Sequence, residues 1–316
     1  MLVVLLLLAF TACVVWFGPR LTASASWPLA APRLGLLVCQ AIPAAVAGAV
    51  VLMAGMTVVS VQHLRPDLEH LLHVCAVAVW DNARHPGVPG ATALGLVATV
   101  LLTHLLRTAA ASAAGVRRVR RDQREALALV GEADEHYTRV HSGDVFAFCL
   151  PGRGGGIVIS TAAERELDDV QLAAVLAHER AHLRGRHHVI LQVTHVMARA
   201  IPLAPLRLLH QQARTLVEMV ADDRACRVTS REALVGALLQ LSSRTTGPDL
   251  AANGSDVTRR TLRLVEPARP QSSFVRLAVA SGALTLLLTP WFIGGLPVLL
   301  AVTGHCAGAV RPTIAV

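Results

Sequence analysis

Two histidines and a glutamate stand where a helix would bury them. The stretch LAAVLAHERAHLRGRHH, residues 172–188, spaces its apolar residues as a helix does, with no Pro or Gly before Gly185. Its buried stripe would carry His178, Glu179 and His182, and burying two imidazoles and a carboxylate without partners costs roughly several kcal/mol. A metal ion is the partner this pattern suits. H-E-x-x-H on a helix sets its imidazoles four residues apart on one face, within reach of one ion, while the adjacent Glu179 points toward a water on that ion. The chemistry is hydrolysis: zinc lowers the pKa of its water toward ~7 and polarises a carbonyl, and the carboxylate carries the proton to the leaving amine.

Two imidazoles leave the ion short of a ligand. Glu218, in the downstream run EMVAD, is the expected third ligand. Asp222 follows one helical turn later and would support a ligand histidine through its outer nitrogen, with Asp223 as the alternative. Two helices would then hold one zinc, with the fourth position left for water. His187 and His188 are read as closing the motif helix, where an imidazole suits the dipole. The non-enzymatic alternative is a zinc that only braces the fold of a membrane transducer.

The rest of the chain must position this centre, and its composition points to a membrane. Of 316 residues 53 % are hydrophobic and the mean hydropathy is +0.53, above the ~45–50 % apolar share of soluble proteins. The apolar residues gather in blocks that exceed or approach the length needed to span a bilayer, at residues 1–17, 34–61, 88–114 and 274–302, with Arg107 near the end of the third and Arg276 at the start of the fourth. The first lacks the basic start of a secretory signal and reads as a retained helix, although Ala23-Ser24-Ala25 resembles a cleavage site.

Charge sets the expected orientation. The formal net charge is +8, every basic residue is Arg, and residues 110–275 hold 22 of them, which places that stretch on the cytoplasmic side. The N-terminus would then face outward. We therefore expect a mainly α integral membrane protein: three N-terminal transmembrane helices in 1–114, a cytoplasmic zincin-like α+β domain with a small β-hairpin in 115–273, and one transmembrane helix with a short outer tail in 274–316.

Within the domain, DVFAFCLPGRGGGIVIST reads as two β-runs joined by a Pro/Gly turn. The second run, Ile157 to Ser160, is the expected strand for main-chain pairing with an extended substrate. Thr161 with Glu164, Asp168 with Gln171 and Thr229 with Glu232 have helix-entry spacing. Val189 to Leu209 is apolar but interrupted by polar residues and two prolines, so it reads as a buried or membrane-skimming helix, with a fifth span as the alternative. Residues 242–273 read as a polar linker around one short helix at VTRRTLRL.

The remaining features have plainer readings. Six widely spaced cysteines form no C-x-x-C pair and are read as packed thiols, with Cys75 and Cys306 the one pair placed to bridge. His63, Glu69, His70 and His73 in the outer loop read as a solvated helix face. The arginines between 117 and 124 suit anionic membrane lipids. With no aromatic interleaving nearby, direct nucleic acid binding is not expected.

The chain resembles the BlaR/MecR-type membrane-embedded zinc metallopeptidases of the antirepressor family. The resemblance rests on AFCLPGRGGGIVIST, LAAVLAHERAHLRGRHH, EMVADDRAC and VTRRTLRLVEP. It implies three spans, a cytoplasmic H-E-x-x-H domain and a further span, with Zn2+ on His178, His182 and Glu218, Glu179 as the catalytic carboxylate and Asp222 in support. It also implies proteolysis of a cytoplasmic protein such as a winged-helix repressor. The extracellular penicillin-binding sensor of the best-known members has no counterpart in Gly304 to Val316. A quality-control protease of the HtpX type shares both motifs and differs by having two spans before the metal site.

Overall fold

The computed structural model describes residues 2–62, 88–152, 155–244, 250–266 and 271–308. The outer-loop cluster from His63 to His73, and Cys75, lie outside the described residues. Within them the chain is mainly helical with one small sheet. The elements are α1 (Leu2–Ser24), α2 (Trp27–Ala30), α3 (Pro32–Gln62), α4 (Val88–Val130), β1 (Gly131–Ala133), β2 (Thr138–Val140), β3 (Ala147–Cys149), β4 (Ile157–Ser160), α5 (Thr161–Glu166), α6 (Asp169–Arg184), α7 (His187–Ala200), α8 (Ala204–Ala225), α9 (Arg231–Arg244), α10 (Leu250–Val265) and α11 (Ser273–Gly308).

Among the described residues four helices are long and apolar enough to cross a membrane: α1, α3, α4 and α11. Their residues are mostly Leu, Val and Ala, good helix formers that lose little side-chain entropy in the helix. Helix α3 lies among the others and buries Cys39, Ile42, Val46, Ala49 and Val50. Helix α4 does not stop at the end of its apolar part: it continues as one helix through the arginine-rich segment to Val130, so no break marks residue 114.

The segment expected to be buried or membrane-skimming resolves into two helices. Leu206, Leu209, Leu216 and Val217 of α8 share one apolar core with Val4 and Leu7 of α1 and Leu36 of α3, and Met197 of α7 joins it. Polar side chains fix the alignment: Gln212 donates to Pro19 O at 3.1 Å, Gln40 to Ile190 O at 3.2 Å and Gln192 to Ser112 Oγ at 2.7 Å. Helices α7 and α8 are thereby both packed against the apolar bundle. Arg263 of α10 also donates to Leu29 O at 3.0 Å, so the connection between α1 and α3 shares a side with the domain.

The sheet has the order β1-β2-β4-β3. β3 and β4 pair antiparallel, Phe148 opposite Val158, as the hairpin reading expects, but β2 pairs parallel with β4 on its other side. This corrects the substrate-strand expectation. β4 is central and wholly buried, with both main-chain edges taken. β3 is the edge strand next to β4, as β1 is at the other end of the sheet, and its pairing with β4 alternates: Ser160 N donates to Phe146 O and Leu150 N to Gly156 O. The main chain of Ala147 and Cys149 therefore faces away from β4.

Helix entries occur where expected, with the capping residue shifted in two of three. Asp168 and Gln171 form a full capping box for α6. For α5 the cap is Ser160 rather than Thr161: its Oγ accepts from Ala163 N, and also from Phe146 N at 3.1 Å. The last strand residue already has the extended backbone that an N-cap requires. For α9, Ser230 Oγ accepts from Ala233 N at 3.0 Å, in place of Thr229.

Candidate metal centre

Helix α6 buries Ala174, Val175, Leu176, His178 and Ala181. The same stripe that packs on the sheet and on α9 thus presents His178, and His182 one turn on. Helix α8 crosses it carrying Glu218 and Asp222. His178 Nε2 lies 3.0 Å from His182 Nε2, and Glu218 sets one oxygen 3.4 Å from the first and the other 3.6 Å from the second. One donor atom from each of the three falls within 4.8 Å of the others.

These residues fit a zinc ion. Bonds of about 2.0–2.1 Å in a tetrahedron put ligand atoms about 3.3 Å apart, close to the separations here. The donor set, two imidazoles and a carboxylate, is one used by catalytic zinc sites. The electrostatics also call for a cation between the helices. Burial opposes a charge on His178, yet Asp222 and Glu218 raise the imidazole to about 9. Burial likewise opposes ionisation of Glu218, but the two histidines and Arg260 hold it well below the usual carboxylate range. A ring that holds a proton so firmly beside ionised acids holds it where a metal would sit.

The supporting shell contains three residues whose roles differ from their sequence reading. Asp222 lies beside the first histidine: its Oδ1 is 3.0 Å from His178 Nδ1, without full hydrogen-bond alignment. Asp223, the alternative, instead pairs with Arg263 at 2.8 Å. Arg260 belongs to α10, in the segment whose sequence suggests only a short helix within a linker. It is 8 % exposed, donates to both oxygens of Asp222 at 2.8 and 2.6 Å, and stands 3.1 Å from Glu218 Oε2. A buried aspartate beside a ligand histidine needs a counter-charge, and VTRRTLRL was the arginine-bearing segment that could supply one.

His187 does not close the motif helix. That helix ends at Arg184, and Arg186 takes a left-handed conformation with φ 49°, which starts α7 and swings His187 back onto α6. His187 is 2 % exposed, with Nδ1 3.1 Å from Nδ1 of His182. Burial, then the nearby His182 and Arg224, lower it to about 4, so it is a neutral ring able to accept from His182. Gly185 makes room: a Cβ there would meet His187 Nε2 at 2.3 Å.

Glu179 is half-buried on α6 and faces the edge strand, where its carboxylate contacts the thiol of Cys149. Burial, and then Glu179, push that thiol up to about 12. Cys13, Cys39, Cys149 and Cys226 are free thiols among the described residues.

No curated protein and no solved structure matches the chain in comparisons of sequence and of fold. Residues 113–246, from the arginine-rich extension of α4 to the end of α9 and therefore including His178, Glu179, His182, Glu218 and Asp222, match the family model described as Peptidase family M48, a similarity that supports a metallopeptidase.

Proposed function

We propose that the protein is a membrane-bound zinc metalloendopeptidase, with Glu179 as general base, that cuts a cytoplasmic protein. The observation carrying this reading is the convergence of His178, His182 and Glu218 on one point, with the Glu179 carboxylate on the same helix and an edge strand beside it. Bound zinc would activate a water and polarise the scissile carbonyl. The chain's own residues do the rest. Ala147 and Cys149 pair with an extended substrate through their outward main chain, as an added strand. Glu179, adjoining Cys149, takes the proton from the attacking water and returns it to the leaving amine. Asp222 orients His178 and His187 orients His182.

Membrane attachment through α1, α3, α4 and α11, with the domain inward, follows the arginine distribution. Three of these helices precede the metal helix and one follows, an order that supports the antirepressor type over the quality-control type and, with it, a repressor as substrate. The test compares cells carrying the wild-type protein with cells carrying Glu179→Gln. A cytoplasmic protein cut only in the former, with equal zinc in both purified proteins, is the expected result. Equal proteomes under varied stress, with zinc bound, would leave a metal-braced transducer instead.

A further inference from the structure

Beside the metal centre a cavity of about 530 Å³ lies between α4 and the edge strand, and it reaches His182 and Glu218. Its outer wall is the extension of α4, with Val119, Arg120 and Gln123, and its inner wall is the chain from Phe148 to Pro151. On the far side of Glu218 a second cavity, of about 920 Å³, is lined by the chain from Val145 to Ala147 and by α9 and α10. The edge strand therefore runs past both, with the metal ligands between them. A peptide paired to that strand would place residues on one side of its cleaved bond in the first cavity and residues on the other side in the second.

The first cavity holds a charge that nothing in the fold explains. Arg121 pairs with Glu125 on the outer surface of α4. Arg124 faces inward and has a structural task, donating to Pro151 O at 2.8 Å and so holding the turn after β3. Arg120, one turn earlier on the same face, lines the cavity and has neither a hydrogen bond nor an ion pair among the described residues. Burial and Arg124 both disfavour its charge, and only the nearby Cys149 thiol works the other way, with no carboxylate beside it and His188 across the cavity. The one carboxylate in the lining is Glu218, committed to the histidines and Arg260. In the second cavity, by contrast, Asp256 and Glu218 stand with Arg214 and Arg260.

We infer that Arg120 is a specificity-determining residue that receives an acidic side chain of the substrate, on the side of the cleaved bond that lies between α4 and β3. This rests on the peptidase reading for the location of the bond, and on the unpaired guanidinium in the cleft for the chemistry. A planar fork of N–H donors in a half-buried cleft matches a carboxylate in both charge and shape. A neutral or basic side chain there would leave the guanidinium desolvated without a partner.

The test is binding, so that it does not depend on turnover. Full-length Glu179→Gln protein, zinc-loaded in detergent micelles, is titrated with a fluorescent peptide library that carries Glu, Gln or Lys at each position in turn. Glu is expected to bind about ten- to a hundredfold more tightly than Gln at one or two positions on a single side of the metal. Adding Arg120→Gln should level that ratio, and Arg120→Glu should reverse it in favour of Lys. A preference that survives Arg120→Gln, a uniform loss of affinity for all peptides, or no binding at all overturns the inference. So does an effect of the variant confined to adsorption on phosphatidylglycerol vesicles, which would assign Arg120 to lipid. Acid-selective binding with no cleavage by the wild-type protein would sink the peptidase reading alone; cleavage blind to charge would sink Arg120 alone.

Discussion

Arg260 grips Asp222 through two hydrogen bonds of 2.8 and 2.6 Å, with both side chains out of water, and the same guanidinium reaches Glu218 at 3.1 Å. The candidate metal ligand from α8 and the acid beside His178 are thus held by a residue on α10. Replacing Arg260 by Leu leaves a buried aspartate without its cation, a change that costs about 3–5 kcal/mol in comparable pairs. Zinc affinity should fall about ten- to a hundredfold as the outer shell loosens. Thermal unfolding of the detergent-solubilised protein and competitive zinc titration measure the two effects. Adding Asp222→Leu should recover part of the stability and none of the zinc affinity. A single variant with unaltered zinc affinity would remove Arg260 from the centre.

The ring of His187 against His182 supports a second expectation. A metal ligand whose far nitrogen is fixed by a partner keeps its tautomer and direction. His187→Leu should therefore lower zinc affinity about tenfold, whereas Gly185→Ala should disturb the same contact from the side, because its Cβ would meet the His187 ring and Arg224. The alanine suits the local backbone, so its effect is steric, about 1–3 kcal/mol of overpacking. Zinc titration of both variants checks this, and normal affinity in both would leave His187 a packing residue.

How far the sequence carries these features depends on the range over which each is encoded. The histidine pair and Glu179 sit within one and a half turns of a helix, so their spacing alone puts them together. Glu218 and Asp222 share a helix of their own, legible as a pair, but the crossing of that helix over α6 is a tertiary fact. Arg260 was harder, lying in a polar stretch whose helix is longer than VTRRTLRL suggests. That β4 has no open edge is hidden in the sequence for a topological reason. Thr138–Val140 is three residues long, half-buried and without alternation, and only its parallel pairing with β4 makes β3 the free edge. His187 was hidden by the left-handed Arg186, a conformation that a bulky residue seldom signals in advance.

Acid should loosen the sheet from α5 before neutral pH effects are felt. Glu164 accepts from Arg139 Nε at 2.8 and 2.9 Å and from the Tyr137 hydroxyl, joining β2 to α5. Burial opposes its ionisation, but Arg139 and Tyr137 outweigh that and lower it from the usual range. Because the folded value lies below the unfolded one, its contribution is complete above about pH 4.3 and fades as pH falls through the folded value. Wild type and Glu164→Gln should therefore differ in unfolding midpoint at neutral pH and converge in acid. A gap of constant size across the range would show that the charge of Glu164 contributes nothing.

Cys149 reports on the distance between the edge strand and the Glu179 carboxylate. Burial raises its thiol first and the Glu179 carboxylate raises it further, to about 12, so little thiolate exists at neutral pH. Thiolate is the form that alkylating agents attack. Glu179→Gln removes the charge and leaves the burial, so the pKa of Cys149 should drop and its alkylation by iodoacetamide should quicken at any pH below that value. The acceleration should be specific to this cysteine, since Cys226 is raised by burial and Asp222, neither of which the substitution touches. Mass spectrometry of labelled peptides gives both rates in one experiment. Equal labelling of Cys149 in the two proteins would place Glu179 away from the strand, and with it away from any substrate paired there.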